Sequence, residues 1–424
     1  MSYSEWKEVK LGDVYDIRSG LSKDRKEFGY GYPFVSFKDV FYNYFLPDEL
    51  ENLANTSIKE RENCSVKKGD VFFTRTSETQ DELGMSSVAL KDYKNATFNG
   101  FTKRLRLKEK IKEDIDLLYI GYYLRSPFIR NQINGFSSMT TRASLNNSMI
   151  NVLEIKLPPI QEQVKIGEVL RSLDEKIEIN NKIINTLETM AQELFKHWFV
   201  DFEFPNENGE PYKSSGGEMI ESELGLIPKG WEVNTIGQIT RITRGASPRP
   251  IQNFIKTEGV PWVKISDATS SISMYISKTS EFIKIEGVSK SRKVTPGTLI
   301  LSNSATPGIP KIMMIEACVH DGWLIFNDYI YLPKEYMYYL LLIERDNILS
   351  LSNGSVFRNL KTDILKSYKI IIPPMKLIDN ILSSLKAINK NIECKATEME
   401  KLSKIRDTLL PKLMSGEIRV PLNF

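Results

Sequence analysis

The chain states its own pattern twice, and a duplicated sequence must fold as two similar bodies or not at all. Trp6-Lys-Glu-Val-Lys-Leu-Gly-Asp-Val14 matches Trp231-Glu-Val-Asn-Thr-Ile-Gly-Gln-Ile239, 225 positions later. Tyr32 to Asp39 matches Val260 to Asp267, and Val66 to Phe73 matches Val294 to Leu301, both at 228. Tyr119 to Leu124 matches Tyr336 to Leu341 at 217, and Leu157-Pro-Pro159 matches Ile372-Pro-Pro374 at 215. The offset drifts only where loops take up insertions and deletions.

Within each half the texture changes once. The first part holds short β-branched or aromatic runs such as Asp70 to Thr74 and Gly297 to Leu301, bounded by Gly, Asn, Asp and Ser, which read as strands. Leu117 to Leu124 and Tyr336 to Ile343 read as helices. After each Pro-Pro the chain turns to continuous helix. Apolar residues at Ile166, Leu170, Leu173, Ile177, Ile184, Leu187, Ala191 and Leu194 alternate spacings of three and four, and Ile381, Leu385, Ile388, Ile392, Met399, Leu402 and Leu409 repeat the pattern. Segment 160–198 carries 5 basic and 7 acidic residues, segment 375–413 carries 8 and 5, so the two helices attract each other. Polar residues interrupt the seam at Asn180 and Lys395. An antiparallel pairing would let them meet and fix the register, with Arg406, opposite Ala191 in the repeat, as a second break. The alternative is two independent helices, each packed on its own domain.

The divisions expected are therefore 1–157 and 231–374 as two globular domains, 158–198 and 375–413 as long helices, 199–230 as an acidic connection, and 414–424 as a tail. The fold class expected is α+β.

Composition narrows the function. Apolar residues at 41% and aromatics at 10% build real cores rather than a disordered chain. No run is long and apolar enough to span a membrane, and the first residues lack a basic-then-apolar signal pattern, so a cytoplasmic protein is expected. Cys64, Cys318 and Cys394 are few and scattered, which fits a reducing compartment. His197 and His320, the only histidines, have no partners at metal-ligand spacing. There is no phosphate-cradling G-x-x-x-x-G-K-[ST] loop and no G-x-S-x-G elbow. Neither a catalytic residue nor a metal site is expected.

What remains is a pattern of bases on loops. The helices and the acidic connection (7 acidic, 2 basic residues) leave a surplus of +7 on the two β-rich domains. Arg18, Lys23 and Arg25 sit in the loop after the first strand, and Arg244 and Arg249 in its repeat. Thr74-Arg75-Thr76-Ser77 and Ser302-Asn303-Ser304 follow matching strands, while Arg142 and Arg358 precede the Pro-Pro junctions. With Lys103, Arg104 and Lys264 these are the candidate DNA contacts, Arg75, Arg142, Arg249, Asn303 and Arg358 foremost. Such side chains reach phosphates and base edges. A 39-residue helix is about 58 Å long, the scale on which two half-sites are read on one duplex. Because the two sets of loops differ, the halves of the target should differ too.

The junctional sequences resemble the specificity subunits of type I restriction–modification systems over nearly the whole chain. The resemblance rests on Trp6 to Val14 and its repeat, Leu157-Pro-Pro-Ile-Gln-Glu-Gln163, Leu194 to Phe202, Leu224 to Trp231 and Leu409 to Val420. The second Pro-Pro departs from it, continuing Met375-Lys-Leu-Ile without Gln-Glu-Gln. The resemblance implies two target-recognition domains reading an asymmetric, bipartite double-stranded DNA target. They would be separated by two long helices in an intramolecular antiparallel coiled coil with pseudo-twofold symmetry, and the helices would set the spacer. It implies as partners two modification (methyltransferase) subunits and restriction (endonuclease/translocase) subunits. No cofactor is implied on this chain; S-adenosylmethionine, ATP and Mg²⁺ would belong to those partners. The aromatic segment His197, Trp198, Phe199, Phe202 and Phe204 is the candidate partner surface, or else a cap over the helices. Two rival readings are a self-contained DNA methyltransferase or nuclease with degenerate motifs, and a coiled-coil scaffold without DNA binding.

Overall fold

Short strands of alternating pattern pair where the repeat predicts, and the long helices begin at the two Pro-Pro pairs. The computed structural model describes residues 6–77, 79, 82–136, 143–271, 273–351 and 359–421. The chain divides into two units, Met1–Ile177 with Lys401–Phe424, and Glu178–Glu400.

In the first unit a four-stranded antiparallel sheet runs in the order Tyr15–Ser19, Thr102–Leu107, Val71–Thr74, Ser86–Val88. Beside it Phe28–Val35 pairs with Leu53–Ala54 and Thr97–Phe98. Strand Lys7–Lys10 pairs antiparallel with Glu154–Leu157, the strand that leads into Pro158-Pro159. In the second unit Thr240–Arg244, Trp323–Tyr329, Leu299–Ser302, Pro310–Met313 and Tyr275–Ile276 form a five-stranded sheet. A second sheet is built on Val260–Val263 and Ala317–Val319. Apart from both, Glu232–Thr235 pairs with Lys369–Ile372 in a two-stranded sheet, the counterpart of the first unit's terminal pair.

The predicted short helices form at Leu117–Tyr123 and Lys334–Ile343. Asp116 caps the first by accepting from Tyr119 N at 2.8 Å. Each short helix then ties the domain to its terminal strand by a tyrosine: Tyr119 Oη donates to Lys156 O at 2.6 Å, and Tyr336 Oη to Ile371 O at 3.2 Å.

The long helices span Ile160–Phe199 and Met375–Ser415. Prolines just before the first turn cost no hydrogen bond there, and Glu162 N reaches back to Pro159 O at 2.8 Å. In the first unit Ile166 and Leu170 share a core with Leu410, Leu413 and Met414. Arg406 Nη1 meets Asp174 Oδ1 at 2.6 Å and Arg419 Nη2 meets Glu162 Oε2 at 2.7 Å, so the two segments run antiparallel. In the second unit Ile184, Ala191, Phe195 and Phe199 share a core with Ile378, Leu382, Leu385 and Ile392.

The expected register pair does not form. Lys395 Nζ goes to Glu398 on its own helix at 2.8 Å, and Asn180 is fully buried with neither side-chain polar atom partnered. A lysine one helical turn from a carboxylate is satisfied locally, at less cost than burying its ammonium beside an amide. The buried polar contacts fall elsewhere. Tyr122 Oη donates to Asp174 Oδ2 at 2.6 Å in the first unit, and Tyr339 Oη donates to Asn389 Oδ1 in the second.

The Gln-Glu-Gln departure has a physical counterpart. Gln163 is buried; its Oε1 accepts from Asp116 N at 3.0 Å and its Nε2 donates to Asp114 O and Pro158 O. In the second helix that position is Ile378, fully buried in an apolar core.

Candidate nucleic-acid interface

At one end of each main sheet three segments meet in a frame that both units share. Strand Val71–Thr74 runs into Arg75, whose N donates to Phe101 O at 2.9 Å and whose O accepts from Leu145 N at 2.8 Å. Strand Leu299–Ser302 runs into Asn303, whose N donates to Gly322 O at 2.8 Å and whose O accepts from Leu360 N at 2.8 Å. The turns close alike, Thr102 N to Asn99 O at 3.0 Å and Trp323 N to His320 O at 3.1 Å. Even the side chains at the first position do the same thing: Arg75 Nη1 reaches Gly100 O at 3.5 Å, Asn303 Nδ2 reaches Asp321 O at 3.4 Å. The loop after the first strand passes so near that only glycine fits. A Cβ on Gly20 would lie 2.3 Å from Asn99 O, and one on Gly245 2.1 Å from His320 O.

On this common frame the side chains differ. In the first unit Arg18 is exposed, Arg75 half-buried, and Lys103 Nζ donates to Ser19 Oγ at 2.8 Å. Partial burial and the neighbouring Arg75 lower the Lys103 pKa. None of these three cations has a carboxylate within ion-pair distance among the described residues. Arg75 and Lys103 are neighbours without a counter-charge, the electrostatic signature of an anion site, while Arg18 lies across from Arg104 on the other side of the strand pair. Phe101, whose O accepts from Arg75 N, stands beside Arg75, 60% exposed.

In the second unit the acidic Asp321 occupies the turn. Arg244 Nε donates to its carbonyl at 2.7 Å, Ser247 Oγ to its Oδ1 at 2.5 Å, and Arg249 Nη2 to its Oδ2 at 3.2 Å. Burial opposes its charge, but Ser247, a backbone N–H and Arg249 hold its carboxyl below the usual range. Burial pushes the His320 pKa down, and its Nδ1 accepts from Gly322 N at 2.7 Å. A cavity of about 760 Å³ opens here, lined by Trp262, Lys264, Glu281 and His320. The corresponding place in the first unit, lined by Phe34, Ser36, Leu53 and Asn99, holds about 330 Å³.

The candidate contacts thus separate. Arg18, Arg25, Arg75, Thr76, Ser77 and Lys103 are exposed or half-buried in the first unit, as are Arg244, Arg249 and Ser304 in the second. Thr74 is buried, its Oγ1 accepting from Met85 N at 2.9 Å, and Ser302 is buried, its Oγ donating to Thr306 O at 2.6 Å. Arg104, 3% exposed, is spent on Ser65 O at 2.7 Å. These three hold the frame and do not face solvent. Lys23 is paired with Glu60 at 2.9 Å and Lys264 with Glu281 at 2.6 Å. Asn303 is 5% exposed, with its Oδ1 unpartnered. Arg142 and Arg358 lie outside the described residues. Sequence reading passed over Phe101 and Asp321 and weighed His320 as a metal ligand; aligning Asn99–Phe101 with His320–Gly322 would have exposed the contrast.

The aromatic segment is a cap rather than a free surface. Phe199, Phe202 and Phe204 are buried, Phe204 stacks on Trp231 with centroids 5.2 Å apart, and Phe202 meets the same ring edge-on at 5.4 Å. Trp198 is partly buried and His197 alone is exposed.

The family model for the type I restriction modification DNA specificity domain matches residues 3–189 and again 228–404. The chain belongs to this family. It is similar to the type I restriction enzyme MjaIX specificity subunit of Methanocaldococcus jannaschii, 26% identical over 98% of this chain and 94% of that protein. It is also similar to the HindI specificity subunit of Haemophilus influenzae, 25% identical over 98% of this chain and all of that one. Among solved structures, the S subunit of a type I restriction–modification system from M. genitalium shares the fold. The TM-score is 0.55 at 15% identity, with 97% of this chain and 96% of that chain covered. This chain carries the domain twice.

Proposed function

We propose that the chain is the DNA-reading subunit of a type I restriction–modification complex. The observation that carries this is the pair of tips: one backbone frame, used twice, presenting different side chains. A repeated frame with altered side chains is what reading two unlike sequences requires, while phosphate contacts would call for the same cations twice. Each recognition domain reads one half of a split target in double-stranded DNA, and the long helices set the unspecified spacer.

Chemistry belongs to partners. Two modification subunits hold S-adenosylmethionine and methylate adenine; restriction subunits use ATP and Mg²⁺ to move along and cut DNA. The complex works in the cytoplasm, where both chromosome and invading DNA are found. Among the described residues no three His, Cys, Asp or Glu side chains gather as a metal would need, and no helix is long and apolar enough to cross a membrane.

The test is footprinting of the chain assembled with its modification subunit. Two protected blocks separated by an unspecified spacer are expected. Uniform protection that vanishes with modest salt would reduce the chain to a non-specific binder. Methyl transfer by the purified chain alone would make it an enzyme.

A further inference from the structure

The recognition tip of the first unit carries one side chain that its cations do not explain. Phe101 is a large apolar ring left 60% exposed at the end of a strand whose neighbours Thr102, Arg104 and Leu105 are all buried. Its backbone is fixed on both sides: Phe101 N donates to Asn99 Oδ1 at 2.6 Å, and Phe101 O accepts from Arg75 N at 2.9 Å. The ring is therefore held out by a rigid turn rather than a loose loop. Beside it stand Arg75, whose N it accepts from and whose Nη1 reaches Gly100 O, and Lys103, two cations without ion-pair partners among the described residues. An apolar group costs free energy in water unless something covers it, and a surface of positive charge selects a polyanion as the cover. On duplex DNA the apolar feature within reach of such a side chain is the thymine 5-methyl group in the major groove.

The second unit supplies the contrast. The same backbone hydrogen bonds place Gly322 where Phe101 stands and Asp321 where Gly100 stands. The apolar probe is absent there and a carboxylate, held by Ser247 and Arg249, takes its side.

We propose that Phe101 is a specificity-determining residue which reads a thymine of the first half-site through its methyl group. This rests on the reading of the chain as a DNA-recognition subunit. The experiment is sequencing of methylated sites in cells expressing the chain with its modification subunit, comparing the unaltered chain with Phe101→Ala and Asp321→Ala. The unaltered chain gives a split motif. Phe101→Ala loses base preference at one A·T position in one block, with the second block and the spacer unchanged. Asp321→Ala leaves that first block as it was. In binding assays with the purified complex, replacing the thymine of that position by uracil weakens the unaltered chain and has no further effect on Phe101→Ala. A Phe101→Ala motif identical to the original, a relaxed position that is G·C, or equal losses in both blocks would overturn the proposal. The absence of any motif with the unaltered chain would instead overturn the DNA-recognition reading, and this proposal with it.

Discussion

Arg75 and Asn303 occupy one position of one frame, and that equivalence gives each a definite test. Arg75 is half-buried beside Lys103, its guanidinium tied only by the 3.5 Å contact of Nη1 to Gly100 O, which leaves donors for a forked contact with a base or a single contact with a phosphate. Reading a base, Arg75→Ala relaxes one position of the first half-site and costs about 1–3 kcal/mol of discrimination. A loss that is uniform over all sequences, with a shallower salt dependence, assigns Arg75 to a phosphate instead. Lys311 offers a second test, in the pH dependence of stability. It is 7% exposed, its ammonium donates to Ser271 O at 3.2 Å and to Ser273 O, and burial brings its pKa down to about 8 against attraction from Glu188. A lysine with a depressed folded pKa favours unfolding while it is charged. Between the folded value and the ordinary 10.5 the unfolded chain binds the extra proton, so stability rises with pH across that window, by up to about 3 kcal/mol. Urea unfolding between pH 7.5 and 10 measures this. Lys311→Met should flatten the slope, and an unchanged slope would assign it to other groups.

Between elements, the repeat itself performs a mutational comparison. Asp174 of the first long helix corresponds to Asn389 of the second, and Arg406 corresponds to Ala191. Where the carboxylate stands, an arginine meets it; where the amide stands, alanine suffices, and a tyrosine donates to both. The Asp174–Arg406 pair is largely buried, with side chains 10% and 20% exposed. Arg406→Ala therefore strands a buried charge and costs about 3–5 kcal/mol, while the double variant Asp174→Asn with Arg406→Ala recovers most of that. Chemical unfolding of the three variants decides; additive losses would contradict the coupling. Asn180, buried with both polar atoms unpartnered, predicts the opposite sign: Asn180→Leu raises stability by about 1–3 kcal/mol. A lower melting temperature would mean the amide has a partner worth more than its burial costs. The seam that holds these residues was legible in the sequence because three-and-four spacing survives substitution. Its polar contacts were not legible, because a lysine's reach decides them: Lys395 turns to Glu398 within one helical turn. Phe202 and Phe204 left two readings open for a similar reason. They lie in an acidic, loop-like stretch, and their cover is Trp231, nearly thirty positions further along. Among the bases, Arg104 and Arg75 look alike in sequence, yet Arg104 lies on a strand that packs into the sheet while Arg75 follows one.

For the molecule as a whole, the family assignment and the repeat give one expectation that no single residue carries: a target in two unlike parts. Sequencing of methylated positions in genomic DNA tests it most directly, comparing cells that express the chain together with its modification subunit and cells that lack it. Two short defined blocks of different sequence around a fixed unspecified spacer are the predicted result. A single undivided motif, or no new motif although the complex assembles, would contradict the account. So would a new motif made without the modification subunit, since it would place the chemistry on this chain.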